Sequence, residues 1–195
     1  MLTPHEQILQ YAQSVLGGAG SHGMDHTNRV TRMCRIIGRI EHADMAVLIP
    51  AALLHDIARP LEKATGLPHE TEGARMADLY LTSINYPHEL IPKICAAIQT
   101  HRFRSIKRPE TPEAKILSDA DKLDALGAVG IARTFMRAGE HSGDIDDALM
   151  HFHDKLLMLQ DLMYTKTARD MAAERHAFLI TFLSRLEQET DLSLP

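Results

Sequence analysis

The chain has 195 residues and a mass of 21.8 kDa, a length for one domain that can bury roughly 70% of the surface its unfolded form exposes. Its 45% hydrophobic and 24% charged residues match an average globular domain and exclude a disordered, collagen-like or disulfide-framework protein. With 21 Lys and Arg against 26 Asp and Glu, the net charge is −5, which argues against tight, non-specific nucleic-acid binding.

In chain order, the pattern predicts helices throughout. Gly17–Gly20 is expected as a loop; it lacks the Lys-Ser/Thr of a phosphate loop. Asp25 to Ile40 places Val30, Met33, Cys34, Ile37 and Ile40 at spacings of three and four. Asp44 to Ala58 is apolar nearly all round, the pattern of a buried central helix. Pro50 should bend it, and Arg59-Pro60 should end it. Pro68-His69-Glu70 opens a helix carrying Ala74, Ala77, Leu81 and Ile84. Tyr86-Pro87 starts the next, through Ile91, Ile94, Ile98 and His101. Thr111-Pro112-Glu113 is a capped helix start, and that helix runs to about Gly127. Short helical pieces follow to Ala138, with a loop at Gly139–Gly143. Two amphipathic helices, about Asp146–Tyr164 and Thr167–Glu189, close the chain, with Met150, Met158 and Met163 expected in the core. No segment shows strand alternation with hairpin turns.

No run of 18 apolar residues suggests a membrane span, and no basic start followed by an apolar stretch suggests a signal peptide. Cys34 and Cys95 lie in apolar helical segments and are expected as reduced core thiols of a cytoplasmic protein.

The unusual feature is 12 histidines with no tryptophan. Metal sites in helical bundles are built from side chains that point inward from several helices, and imidazole with carboxylate suits divalent metals. Three places fit: His26 near the start of a helix, His55-Asp56 after Ala51-Ala52-Leu53-Leu54, and Asp121 within Asp119-Ala120-Asp121-Lys122-Leu123-Asp124. A second dipeptide, His153-Asp154, sits among Asp146, Asp147, Lys155 and Gln160 and reads as a solvated face. A buried carboxylate is costly unless it is paired or binds a metal, and that singles out Asp56.

The order His26, His55-Asp56, Asp121 resembles the pattern of the HD-domain metal-dependent phosphohydrolases. The contexts His22-x-x-x-His26-x-x-Arg29-Val30, Leu54-His55-Asp56-Ile57 and Asp121-Lys122-Leu123-Asp124-Ala125-Leu126-Gly127 are similar to that superfamily. Gly130-Ile131-Ala132-Arg133-Thr134-Phe135 resembles a bacterial and archaeal branch that includes nucleoside-triphosphate pyrophosphohydrolases. The resemblance spans about residues 20–140. It implies a single all-α HD bundle, with the helices at about 146–189 packed on it. It also implies a divalent ion (Mn, Mg, Co, Ni, Fe or Zn) held by His26, His55, Asp56 and Asp121.

Some HD proteins add two histidines and hold two metals, and His69 and His101 stand at such positions. With one metal they would contact substrate phosphate or shuttle protons. We expect one tight ion, a second being possible with Asp56 as bridge. Asp56, His69, His101 and Lys122 are the candidate catalytic groups, and His22, Arg29 and Arg133 the candidate substrate contacts. The function implied is hydrolysis of a phosphate ester or anhydride in a small molecule, most simply a nucleotide. Two other classes fit the same residues: a di-iron oxygenase, and a nucleotide-binding module without turnover.

Overall fold

The computed structural model describes residues 2–17, 23–103 and 107–190. Among them the regular elements are all helical, as expected. The chain divides into two compact units, Met1–Asp121 and Lys122–Pro195.

The first unit holds α1 (Pro4–Leu16), α2 (Met24–Ile40), α3 (Met45–Leu54), α4 (Arg59–Thr65), α5 (His69–Ser83), α6 (Ile91–Thr100) and most of α7 (Pro112–Leu123). Helix α1 starts at a capping box: the Thr3 hydroxyl accepts from Glu6 N, and the Glu6 carboxylate accepts from Thr3 N. Helix α3 is the centre, buried without interruption from Val47 to Leu54 and packed against α1, α2, α5 and α6. It opens on Asp44, whose carboxylate accepts from Ala46 N at 2.9 Å. The Glu113 carboxylate in the first turn of α7 accepts from Asp44 N at 2.9 Å and ties the two helix starts together. Helices α2 and α3 approach closely at Gly38, where an added Cβ would lie 2.5 Å from Leu48. A side chain there would require the Leu48 methyl and the Met45 sulfur to move aside.

Pro50 lies inside α3. Having no N–H, it cannot donate to the Ala46 carbonyl one turn back. The Tyr86 hydroxyl donates to that oxygen instead, at 2.7 Å, so the carbonyl is satisfied from another segment. The α3 helix is shorter than the apolar run suggests. It stops at Leu54, His55 to Ala58 form turns, and Arg59-Pro60 begins α4. Proline near a first turn starts a helix as readily as it stops one, because the N–H it lacks has no partner there. In the same way α6 begins at Ile91, with Pro92 in its first turn. The stripe of α2 is buried as expected, except that Ile40 at its end is exposed. Cys34 is buried and Cys95 half-buried.

The second unit contains α8 (Gly127–Glu140), α9 (Ile145–Asp154), a 3-10 helix (Leu156–Leu162) and α10 (Lys166–Thr190). Helix α8 packs on α9 and α10, with Phe135 6.0 Å from Phe152 and 6.1 Å from Phe182 between ring centres. Gly127 enters α8 at φ +68°, a left-handed value that favours glycine. The expected helix over Asp146–Tyr164 is broken at Lys155, where φ is −140°. The buried Leu156 and Leu159 then follow the three-residue period of a 3-10 turn. Of the three methionines expected in the core, only Met163 is buried; Met150 and Met158 are exposed. The helix that was to align them is interrupted between the first and the second.

Candidate metal centre

Five helix ends of the first unit converge. His26 lies in the first turn of α2 and His69 is the first residue of α5. His55 closes α3, His101 closes α6, and Asp121 lies in the last turn of α7. The turn after α3 carries Asp56 into the same space. All but Asp121 are buried. The Asp121 side chain keeps 23% of its surface exposed, so the cluster opens to solvent beside it.

Asp56 stands between two histidine pairs. Its Oδ2 is 3.6 Å from His26 Nε2 and 3.7 Å from His55 Nε2. Its Oδ1 is 3.3 Å from His69 Nε2 and 3.6 Å from His101 Nε2. The two Nε2 atoms of each pair are 3.3 Å apart, and Asp121 Oδ1 is 3.3 Å from His26 Nε2. Three of the rings are locked by their far nitrogens. His55 Nδ1 donates to Ala52 O at 2.7 Å, His101 Nδ1 to Ile98 O at 2.6 Å, and His69 Nδ1 to the Glu62 carboxylate at 2.9 Å. In a neutral imidazole that leaves the lone pair on Nε2, so the lone pairs point inward at one another and at Asp56.

Such an arrangement fits a cation. Ligand atoms about 2.1 Å from a shared ion stand about 3.0 to 3.4 Å from one another, close to the spacings here. Asp56 Oδ2 is buried with no hydrogen-bond partner, a costly state for a carboxylate oxygen without a cation. His26, His55 and Asp121 form one group able to hold an ion, and His55, Asp56 and His101 another. Nitrogen and oxygen donors without thiolate suit a divalent transition metal or magnesium.

Electrostatics keep these groups in ligating form. Burial lowers His55 to about 4 despite the opposing pull of Asp56. His69 falls to about 3, chiefly by burial, against Asp56 and with the Arg59 charge. Burial pushes Asp56 up, but the charges of His55 and Arg59 hold it well below the usual carboxylate range. Burial likewise opposes Asp121, which its hydrogen bond to His26 holds low.

Four residues not singled out in the sequence surround the cluster. Arg59 Nε donates to Asp56 Oδ1 at 2.9 Å, and its Nη1 donates to Glu62 at 3.2 Å. Arg102 Nη1 donates to Glu62 at 2.9 Å and to Glu70 at 3.1 Å. Glu62, His69 and Glu70 group closely as a result. The available signal was the spacing: Arg59 stands one helical turn after Asp56 and one before Glu62.

Four candidates remain. His22 is outside the described residues. Arg29 is half-buried on α2, one turn after His26. In the second unit, Lys122 is buried with Nζ 4.6 Å above the Tyr164 ring. Arg133 Nη1 donates to Asp124 Oδ2 at 2.7 Å.

The HD domain family model matches residues 23–126, which include all six clustered side chains. The chain belongs to the HD-domain superfamily of metal-dependent phosphohydrolases. This HD protein is 38% identical to YpgQ of Bacillus subtilis (strain 168), over 94% of this chain and 92% of that one. The crystal structure of B. subtilis YpgQ in complex with ADP superposes with a TM-score of 0.81 at 35% identity, covering 96% of this chain and 98% of that one. A predicted HD superfamily hydrolase from an uncultured Thermotogales bacterium gives a TM-score of 0.73 at 32% identity, covering 94% and 91% of the two chains. No helix among the described residues is long and apolar enough to cross a membrane.

Proposed function

We propose that this phosphohydrolase acts on a nucleotide, cleaving a phosphate anhydride, with one divalent ion held by His26, His55, Asp56 and Asp121. The observation that carries the metal assignment is the unpartnered Asp56 Oδ2, buried with His26 Nε2 at 3.6 Å and the inward-facing Nε2 of His55 at 3.7 Å. The ADP bound to the related YpgQ supports a nucleotide as substrate class. Release of pyrophosphate from a nucleoside triphosphate is the finer form of the reading and rests on the resemblance of residues 130–135.

The chemistry such an ion supplies is Lewis acidity, which activates water and polarises a phosphoryl oxygen. The chain's own groups bind, orient and move protons. His69, fixed by Glu62, presents Nε2 toward Asp56 and His101 and is the group to hold or pass a proton there. His101, oriented by Ile98 O, is positioned for the same phosphate. Arg29 supplies a guanidinium near His26 for a phosphate oxygen. Roles for Lys122, Arg133 and His22 in gripping the substrate complete the proposal.

The test is a hydrolysis screen over nucleotides with Mn²⁺, Co²⁺ or Mg²⁺, run without oxygen. Phosphate or pyrophosphate should be released. Turnover seen only with iron and dioxygen would replace the hydrolase reading with the di-iron one. Nucleotide binding without product under every metal would favour a binding module.

A further inference from the structure

The two halves of the centre offer nearly the same donors, and the difference between them lies in Arg59. Asp56 Oδ2 faces His26 and His55 and has no hydrogen-bond partner. Asp56 Oδ1 faces His69 and His101 at similar distances, but it also accepts from Arg59 Nε at 2.9 Å. A guanidinium keeps its charge at any working pH. Its Nη1 is anchored on Glu62, so it is braced against Asp56. Glu62 and Glu70, the acids that would neutralise a second ion, are engaged by Arg59 and Arg102. In this connected network four carboxylates (Asp56, Asp121, Glu62 and Glu70) meet two guanidiniums. Within these ion pairs the carboxylates exceed the guanidiniums by two charges, as many as one divalent ion carries.

We propose that Arg59 restricts the centre to a single divalent ion by standing on the Asp56 oxygen that a second ion would share. The proposal rests on the reading of the cluster as a metal centre. It makes Arg59 a determinant of metal number acting through Asp56, with His69 and His101 left open to substrate.

The experiment counts ions. Chelator-stripped protein is titrated with Mn²⁺ by calorimetry, its bound metal is measured after gel filtration, and its Mn²⁺ resonance spectrum is recorded. Wild type should hold one ion per chain and give the spectrum of isolated ions. Arg59→Gln should hold two and show a spin-coupled pair. Arg59→Lys, which keeps the charge, should return to one. Adding His69→Ala to Arg59→Gln should also return the count to one. Circular dichroism establishes that each variant is folded. Two ions in wild type would overturn the proposal without any variant, and so would a folded Arg59→Gln that still holds one. No ion in wild type would instead sink the metal-centre reading on which the proposal stands.

Discussion

The dipeptide His-Asp occurs twice in this chain, in opposite surroundings. At the end of α3, His55 and Asp56 are buried. One is locked on a backbone carbonyl, and the other stands among three further histidines and an arginine. On α9, His153 and Asp154 are exposed. The ion pair of His153 with Glu187, at 3.3 Å, joins side chains that are more than half exposed, where water screens the attraction. A His-Asp pair thus becomes a candidate metal site when burial removes water and other helices bring further donors to it.

Several substitutions bear on that contrast. The largest effect is expected for Asp56→Ala, which should cost on the order of a hundredfold or more in turnover and most of the metal affinity. Metal titration together with initial rates would check both, and full metal retention would remove Asp56 from the ligand set. Next comes His69→Ala, expected to slow turnover by roughly 100-fold while the affinity for the first ion changes little. An equal fall in both quantities would make His69 a ligand of that ion.

A pH effect separates the two pairs more gently. The folded-state value of His55 is about 4 against an ordinary 6.5. Between those values the unfolded chain binds the proton and the native chain does not. The stability His55 contributes is therefore complete above about pH 6.5 and declines toward about pH 4. In chelator, the urea midpoint of wild type should drop more over that window than the midpoint of His55→Gln. Equal slopes would mean that His55 does not titrate as a buried neutral ring. The smallest effect belongs to Asp154→Ala, expected within about 0.5 kcal/mol of wild type in stability and unchanged in metal content. A loss like that of Asp56→Ala would transfer the site to α9.

Part of this cluster was legible from residue type and order, because His55 and His101 each close an apolar helical run that had to be buried. The spacing placed His69 and His101 on the inner ends of their stripes, and both lie beside Asp56. What escaped was the outer ring. Arg59-Pro60 reads as a stop signal, yet it opens α4 and turns Arg59 back onto Asp56. Glu62 and Arg102 are ordinary surface types in sequence, and they gain significance only through contacts across elements. The break at Lys155 and the exposure of Met150 and Met158 were hidden for a related reason. Periods of 3.6 and 3 differ too little over one or two turns to be told apart by apolar spacing.

Three of the imidazoles take their orientation from partners close by in the chain: His55 from Ala52, His101 from Ile98, and His69 from Glu62. Their aim is therefore set by local helix ends and requires no ion as a template. A small zinc finger behaves in the opposite way, its folding free energy being the metal's binding energy. Here, stripping the ion should leave a folded chain with its donors still in place, able to reload without passing through an unfolded state. Occupancy would then follow the free-metal pool from moment to moment, independent of which ion was present when the chain folded.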